Sequence, residues 1–284
     1  MKRNLVILAL AFCSFGILKG QNASDSLAIV SAQWEVVSPQ KGIVHKRVAI
    51  PQLYQGPQSI NLIEIDPSAG MKIGVAISDK MEKTSQIASE QNAVAAINGS
   101  YFNMKLGNSV CFLKVGRNVI DTTTINEFKL RVTGAVYERK GKMKLIPWSR
   151  QMEKKHKDKV STILASGPLF LNNGKYGDWS TCSPEFIQTK HPRSAICITK
   201  DGKILLIAVD GRFKDHAAGM NIPELAHLVK ILGGEDALNL DGGGSTTLWL
   251  SGAPDNGVIS NPCDNSRFDH AGERSVPNII YVYK

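Results

Sequence analysis

Two aspartates and one asparagine stand at matching places in the chain, each directly after an apolar segment. Asn98 follows AVAAI, Asp210 follows ILLIAV, and Asp241 follows ALNL. Polar groups at the carboxyl ends of buried strands are held by a rigid scaffold and stay open to a ligand. Carboxylates held in this way can act as general acids, general bases or nucleophiles. The alternative is an ordinary turn at each place, because Asn-Gly and Asp-Gly are common turn dipeptides.

A run of glycines and hydroxyl residues follows the last of these aspartates. The run consists of Gly242, Gly243, Gly244, Ser245 and Thr246. Glycine runs are entropically costly, so this one indicates a sharp turn or a close approach of the backbone. Its N–H groups and hydroxyls are suited to binding phosphate or sugar oxygens. The run lacks a P-loop lysine and the GxGxxG spacing, and Thr247 breaks the G-x-S-x-G elbow, so a nucleotide cradle and a nucleophilic Ser245 are not expected.

Three arginines could supply guanidinium groups to the same site. They are Arg193 in HPRSAI, Arg212 in VDGR and Arg274 in ERSVPN. A guanidinium fork matches the geometry of a phosphate, and a surface salt bridge is the alternative for each arginine. Tyr101, in NGSYF, could form an aromatic wall of the site or pack in the core.

The sequence contains no zinc-binding pattern. Its six histidines include no HExxH pair and no Cys-His cluster with zinc spacing. His216 and His227 are therefore expected to be surface or core residues, and no cofactor is expected to be required. Calcium held by aspartate oxygens stays open as a metal site.

The segments that must position these groups are mainly β-rich. Short strands separated by Pro and Gly are predicted from Trp34 to about Ser78 and again from Val110 to Ile146. A polar, helix-compatible stretch runs from about Lys80 to Gln91. Further strands are predicted in PRSAICIT, KILLIAVDGR, ALNL and NIIYVY.

One helix has a clear amphipathic pattern. Leu225, Leu228, Val229 and Leu232 fall at i, i+3, i+4 and i+7, which places them on one face. The preceding Asn-Ile-Pro and the following Gly-Gly suit the start and the end of this helix. The 43% hydrophobic content of the 284 residues is enough for a sizeable core. The sequence thus predicts a single mixed α+β domain with a β-rich sheet core and a few packing helices.

Residues 1–20 have the features of a secretion signal, with a basic start, an apolar run and no acidic residue. A transmembrane anchor is the competing interpretation, but Lys19 and the polar residues after it leave the run short for a stable membrane span. Export is expected, to the periplasm, the medium or the outer surface. Cys13 in LAFC leaves a lipid anchor open, although Phe12 occupies a position that usually holds a small residue.

The charge of the chain is moderately positive. Removing residues 1–20 deletes Lys2, Arg3 and Lys19 and no acid, so the net charge falls from +9 to +6. This charge favours anionic ligands by long-range attraction. A nucleic-acid partner is not expected, because no basic tract has interleaved aromatic residues.

Four cysteines remain after residue 20. Cys111 and Cys197 lie in apolar, strand-like segments, where buried thiols are common. Cys182 and Cys263 lie in polar, loop-like segments and could form a disulfide in an oxidising compartment.

Several segments resemble the phosphodiester glycosidase family, in the order in which they occur here. They are TSQIASEQNAVAAINGSYF, SGPLFLNNG, PRSAI, VDGR, IPELAHLVKILGGEDALNLDGGGSTT and RSVPN. The resemblance implies a family core at residues 84–284, preceded by a β-rich part of the same domain at residues 21–83. One departure is Cys197, because glycine often follows R-[ST]-A-[IV] in the family.

The resemblance implies hydrolysis of the glycosidic bond of a sugar 1-phosphodiester, such as an N-acetylglucosamine 1-phosphodiester, to free sugar and a phosphate ester. Asp241 is then the favoured base or nucleophile, and Asp210 steadies the developing positive charge or binds hydroxyls. Arg193, Arg212 and backbone N–H groups of the glycine run stabilise the leaving phosphate. Asn98 would bind the sugar or the phosphate. The alternative is an exported protein that binds a glycan or phosphoglycan without turnover.

Overall fold

The computed structural model describes residues 23–284, so the predicted secretion signal and Cys13 lie outside the described residues. The strands are β1 (Glu35–Gln40), β2 (Ile43–Leu53), β3 (Gly56–Ile65), β4 (Lys72–Lys83), β5 (Ala95–Asn98), β6 (Leu113–Val115), β7 (Asn118–Asp121), β8 (Gly134–Arg139), β9 (Lys142–Pro147), β10 (Thr162–Ser166), β11 (Leu169–Asn172), β12 (Lys175–Tyr176), β13 (Arg193–Thr199), β14 (Ile204–Val209), β15 (Gly234–Asn239), β16 (Leu248–Leu250) and β17 (Ser275–Tyr283).

Six short α-helices connect or cover these strands in the described part of the chain. They are α1 (Ala23–Val30), α2 (Thr84–Glu90), α3 (Ile125–Leu130), α4 (Arg150–Lys155), α5 (Pro184–Gln188) and α6 (Ile222–Ile231). Single 3-10 turns lie at Pro67–Ala69, Gly243–Ser245 and Asp255–Gly257. None of the helices between residues 23 and 284 is long and apolar enough to cross a bilayer.

The strands form three antiparallel sheets. The largest has the order β1-β2-β3-β14-β13-β15-β11-β12. A five-stranded sheet has the order β7-β6-β10-β8-β9, and a four-stranded sheet has the order β16-β5-β17-β4. Strands from before residue 84 belong to both the largest and the four-stranded sheet, so the chain forms one mixed α+β domain, and the predicted fold class is confirmed.

The strand order of the largest sheet explains why distant residues meet. β13 pairs antiparallel with both β14 and β15, with Arg193 opposite Val209 and Ala195 opposite Asn239. The beginning of β13 therefore lies between the carboxyl ends of β14 and β15. Arg193 starts β13, while Asp210 and Asp241 follow the ends of the other two strands, so one edge of the sheet collects all three residues.

The four-stranded sheet brings the end of β5 to the same edge. β5 pairs with β17, with Ile97 opposite Ile280. A core shared by the sheets holds this arrangement, since Ile97, Ile280, Leu206 and Leu238 belong to one buried apolar cluster. Fully burying each such side chain stabilises the fold by roughly 1.5–3 kcal/mol. The packing of the sheets thus fixes the distance between their edges.

Helix α6 confirms the helix predicted from the apolar stripe. Asn221 is its N-cap: the Asn221 side chain accepts a hydrogen bond from the Glu224 N–H, and the Glu224 side chain accepts one from the Asn221 N–H. This reciprocal capping satisfies two N–H groups that the first turn of a helix leaves without partners. The helix packs its leucines against the largest sheet, in a buried cluster that includes Leu225, Leu228 and Ala237.

The predicted strands around the candidate site are also confirmed, as β5, β13, β14, β15 and β17. The helix predicted from about Lys80 to Gln91 begins later, at Thr84, because the first four residues of that stretch continue β4, in which Glu82 and Lys83 pair with β17. Pairing with a neighbouring strand here overrides a polar sequence that is compatible with a helix.

Candidate active site

The glycine run after β15 turns tightly against the residue that precedes Arg193. A Cβ atom on Gly242 would lie 2.6 Å from the Pro192 carbonyl oxygen. Gly243 has a φ of +63°, which L side chains rarely adopt, and its N–H donates to the same carbonyl oxygen at 2.9 Å. Side chains would therefore separate this loop from the start of β13, and the glycines allow the two segments to touch.

Asp241 opens onto a small cavity of about 150 Å³ at this edge of the sheet. The residues that line it are Tyr101, Arg131, Phe186, His191, Arg193, Arg212, Asp241, Gly242 and Gly243. The backbone of Asp241 is fixed from β5 and the residues just after it: its N–H donates to the Gly99 carbonyl oxygen at 3.0 Å, and its carbonyl oxygen accepts from the Asn98 amide at 2.6 Å. The acid is thus held rigidly at the cavity wall.

Burial raises the pKa of Asp241 from 3.8 to about 6. The Ser245 hydroxyl, the guanidinium groups of Arg131 and Arg274, and the Gly242 N–H oppose this rise. Desolvation disfavours the charged carboxylate, and these groups favour it. An acid whose pKa lies near the working pH, inside a cavity, has the properties of a catalytic acid, base or nucleophile.

Arg193 is almost completely buried, at 2% exposure, and lines the same cavity. Its Nε donates to the Met220 carbonyl oxygen at 2.9 Å, and its Nη2 donates to those of Thr189 at 2.8 Å and Phe186 at 3.2 Å. Burial lowers the pKa of Arg193 to about 10, so the side chain is still cationic at neutral pH. These three carbonyl groups hold the positive charge of Arg193 in a fixed position at the cavity.

Arg131 is a second cation of the cavity, partly buried, and no sequence motif pointed to it. It follows helix α3, and its Nε donates to Glu127 Oε2 at 2.8 Å. Its Cζ lies 3.6 Å from the centroid of the Tyr101 ring. The Tyr101 hydroxyl donates to the Gly167 carbonyl oxygen at 2.6 Å, so the ring is a fixed wall under the guanidinium group.

Arg212 is exposed at the mouth of the cavity, and no acid of the described part of the chain forms an ion pair with it. Its Nη1 lies 3.7 Å from the Cys263 sulfur, and a Cβ on Gly243 would be 3.0 Å from its Nη2. The disulfide that the sequence left open between Cys182 and Cys263 is not formed, since both thiols are free. Cys263 lies against Arg212, whereas Cys182 packs in the apolar cluster of the largest sheet. The predicted burial of Cys111 and Cys197 is confirmed.

Arg274 does not line the cavity. It makes a bidentate ion pair with Asp264, with Nη2 to Oδ1 at 2.5 Å and Nε to Oδ2 at 3.0 Å. This ion pair packs against Gly244, where a Cβ would lie 2.3 Å from Arg274 Nη2. Arg274 therefore supports the back of the glycine run in this arrangement, and it affects Asp241 only through its charge.

Asn98 lies inside the protein, behind the cavity, and is fully buried. Its Oδ1 accepts hydrogen bonds from the Ser194 hydroxyl at 2.7 Å and from the Thr247 N–H at 3.1 Å. Together with its bond to the Asp241 carbonyl oxygen, these contacts tie β5, β13 and the glycine run together. The side chain positions the loop that carries Asp241 from a place that the cavity does not reach.

Asp210 is also fully buried and is absent from the cavity lining. Its Oδ2 accepts from the Ser59 hydroxyl at 2.6 Å and from the Asn261 amide at 2.8 Å, and its Oδ1 accepts from the Asn261 N–H at 2.8 Å. Burial raises the pKa of Asp210, while Asn261 and Ser59 favour the carboxylate. Asp210 thus links β3 and the segment around Asn261 to the end of β14.

The hydroxyl residues of the run are buried rather than turned to the cavity. Ser245 and Thr246 are 0% and 1% exposed. The Ser245 hydroxyl is close enough to favour the charged form of Asp241, but its geometry satisfies no hydrogen bond. Three of the N–H groups of the run are already used, because Gly243 donates to Pro192, Ser245 to Gly242 and Thr246 to Gly243. The cavity is therefore lined more by guanidinium groups than by backbone N–H groups.

Within residues 23–284, no group of three or more His, Cys, Asp or Glu side chains converges on a point that could hold a metal ion. The described residues thus provide no cage of carboxylates for calcium. Phe186 and His191 complete the cavity, and neither was predicted as a site residue. His191 directly precedes Pro192 and Arg193, so its closeness in sequence to a predicted residue was the available signal.

The chain belongs to the phosphodiester glycosidase family, whose model matches residues 91–283. This match confirms the resemblance found in the sequence. No curated protein matches the chain.

Solved structures share the fold at low identity. The catalytic domain of zebrafish N-acetylglucosamine-1-phosphodiester alpha-N-acetylglucosaminidase, auto-inhibited by its pro-peptide, matches with a TM-score of 0.66 and 18% identity, covering 89% of this chain and 88% of that chain. A hypothetical protein from Synechocystis has a TM-score of 0.63 and 17% identity, covering 88% of this chain and 63% of its own. A predicted exported protein from Burkholderia pseudomallei K96243 has a TM-score of 0.57 and 15% identity, covering 82% of this chain and 75% of its own.

Proposed function

We propose that this protein hydrolyses the glycosidic bond of a sugar 1-phosphodiester, of the kind in which N-acetylglucosamine is the sugar, to free sugar and a phosphate ester. The observation that carries the proposal is one half-buried acid, Asp241, sharing a small cavity with three guanidinium groups. Those groups belong to Arg131, Arg193 and Arg212. Family membership and the zebrafish relative's name supply the substrate class.

The three arginines suit the leaving group of this reaction. When the bond between the anomeric carbon and the phosphate oxygen breaks, the electron pair stays on the phosphate, and its negative charge increases. Cations that are already in place stabilise this charge without reorganisation, and they act more strongly in a cavity than in water. Arg193 and Arg131 are held by carbonyl oxygens and by Glu127, so their positions are fixed before the substrate binds.

Asp241 is the acid that acts at the anomeric carbon, as the nucleophile or as the base for water. A phosphate ester leaves without a strong general acid, so the cavity requires one carboxylate rather than the two of ordinary glycoside hydrolysis. Asp210 and Asn98 act from behind the cavity by holding the loop that carries Asp241. Tyr101 supports Arg131 from below.

Product analysis on a panel of sugar 1-phosphodiesters tests this function. We expect the purified protein to release free sugar, and Asp241→Asn to lower turnover by roughly 10²-fold or more. Release of a sugar phosphate instead would mean that the P–O bond is cut. Binding without any product would identify the protein as a glycan or phosphoglycan binder, and wild-type turnover by a folded Asp241→Asn variant would remove this residue from the chemistry.

We also propose that the protein is exported, with residues 1–20 as the signal. The basic and then apolar composition of this segment supports the proposal. Cell fractionation and intact mass of the recovered protein test it. A mature chain that begins near Gln21 is expected; a lipid-modified mass beginning at Cys13 would replace the signal with an anchor, and a full-length cytosolic protein would refute export.

A further inference from the structure

His191 occupies the same cavity as Asp241 and is held in place by its backbone. Its N–H donates to the Met220 carbonyl oxygen at 3.2 Å, and its carbonyl oxygen accepts from the Met220 N–H at 3.0 Å. The carbonyl oxygen of the next residue, Pro192, accepts a hydrogen bond from the N–H of Gly243. The strand bridge and the glycine turn therefore fix His191 relative to the loop that carries Asp241.

The imidazole of His191 is free to exchange a proton. Among the described residues, neither ring nitrogen has a hydrogen-bond partner within bonding distance. The ring is half-buried, and burial, followed by the charges of Arg193 and Arg212, lowers its pKa. A neutral imidazole has one unprotonated nitrogen, which is an acceptor for a proton.

The other polar groups of the cavity are already committed. The Tyr101 hydroxyl donates to a carbonyl oxygen, and burial raises its pKa far above the neutral range. Guanidinium groups keep their protons in proteins. Asp241 and His191 are consequently the two side chains of the lining that are left to accept or release a proton.

We propose that His191 is the catalytic base that deprotonates the hydrolytic water, an inference that rests on the proposed function. Asp241 is then free to be the nucleophile. In the first step a carboxylate oxygen of Asp241 bonds to the anomeric carbon, and the bond from that carbon to the phosphate oxygen breaks with its electron pair on the phosphate. No proton is required in this step.

The second step consumes water. The water oxygen bonds to the anomeric carbon, its proton goes to the unprotonated nitrogen of His191, and the bond from the carbon to Asp241 breaks with the electron pair returning to the carboxylate. The imidazolium ion then loses its proton to solvent. The products are free sugar and a phosphate ester, and both side chains regain their starting charge. The nearby cations Arg193 and Arg212 favour this return, because they disfavour an imidazolium ion.

The variants His191→Gln and His191→Ala test the assignment, with His216→Ala as the matched control. His216 is exposed and stacks on Phe268 with ring centroids 4.8 Å apart, away from the cavity lining. Using a methyl phosphodiester of N-acetylglucosamine 1-phosphate, we expect kcat to fall by roughly 10²- to 10⁴-fold in both His191 variants, with no change in the control. KM should fall together with kcat, so that kcat/KM stays nearly unchanged, because the step that forms the adduct on Asp241 does not use His191. Thermal melting checks that the variants fold.

Sodium azide separates a base from a structural residue. Azide is an anion that attacks without losing a proton, so it should restore turnover in His191→Ala and yield a glycosyl azide. Intact mass should also show a glycosyl adduct on Asp241 in this variant without azide. Unchanged kcat in His191→Gln, or a folded His191→Ala variant that azide does not rescue, would overturn the role of His191. A wild-type protein that releases no free sugar would instead defeat the proposed function itself.

Discussion

The raised pKa of Asp241 predicts that the acid destabilises the fold in which it acts. Burial moves this pKa from 3.8 to about 6. A shift of about 2 pKa units corresponds to about 3 kcal/mol of free energy. Because the folded state disfavours the carboxylate, the buried charge lowers the free energy of unfolding. This loss of stability has its full size above about pH 6 and disappears as the pH falls towards 3.8.

Asp241→Asn should therefore give a protein that is more stable and less active. The neutral amide avoids the cost of burying a charge, so we expect an increase in the free energy of unfolding of up to about 3 kcal/mol at pH 7.5. This value is an upper bound, because the carboxyl group opens onto the cavity and is partly solvated. Turnover of a sugar 1-phosphodiester should fall by roughly 10²-fold or more at the same pH.

Urea unfolding of the wild type and the variant at pH 7.5 and pH 4 measures this effect. The stability gained by the variant should shrink to below about 1 kcal/mol at pH 4, because the folded-state carboxyl is then protonated and the unfolded-state carboxyl, with a pKa of 3.8, is only partly ionised. Asp79→Asn, on an exposed strand residue, is the control and should change little at either pH. A variant that is less stable than the wild type at pH 7.5, or a gain that does not depend on pH, would refute the argument from burial.

Three further outcomes are expected. Arg193→Lys should lower the free energy of unfolding by roughly 2–3 kcal/mol in urea and lower kcat, because an ammonium group cannot reproduce the guanidinium bonds to three carbonyl oxygens; wild-type values would contradict the fixed-cation role. Asp210→Asn should lower the melting temperature while kcat stays within about 10-fold of the wild type, a smaller loss than acid/base catalysis implies; a loss as large as that of Asp241→Asn would return Asp210 to the chemistry. Alkylation followed by mass analysis should label Cys182 and Cys263 in unfolded protein without a reductant, and labelling that requires reductant would show a disulfide.

The local sequence was sufficient to predict the elements that carry the site. Alternating and continuous apolar patterns predicted the strands, and the leucine stripe with its caps predicted helix α6. Those patterns are short-range consequences of side-chain periodicity, so they can be read without knowing the fold. The motif around Asp241 also identified the family, and Asp241, Arg193 and Arg212 do lie on one cavity.

Tertiary structure decided which of these residues line that cavity and which are buried behind it. Asp210 and Asp241 have the same sequence context, an apolar strand followed by Asp-Gly, yet Ser59 and Asn261 occupy both oxygens of Asp210 while Asp241 opens onto the cavity. Arg131 reaches it from a segment with no motif of its own, and His191 reaches it from the position just before PRSAI. Which partners a side chain meets depends on strand order and sheet packing, and those are set by contacts between residues far apart in the chain.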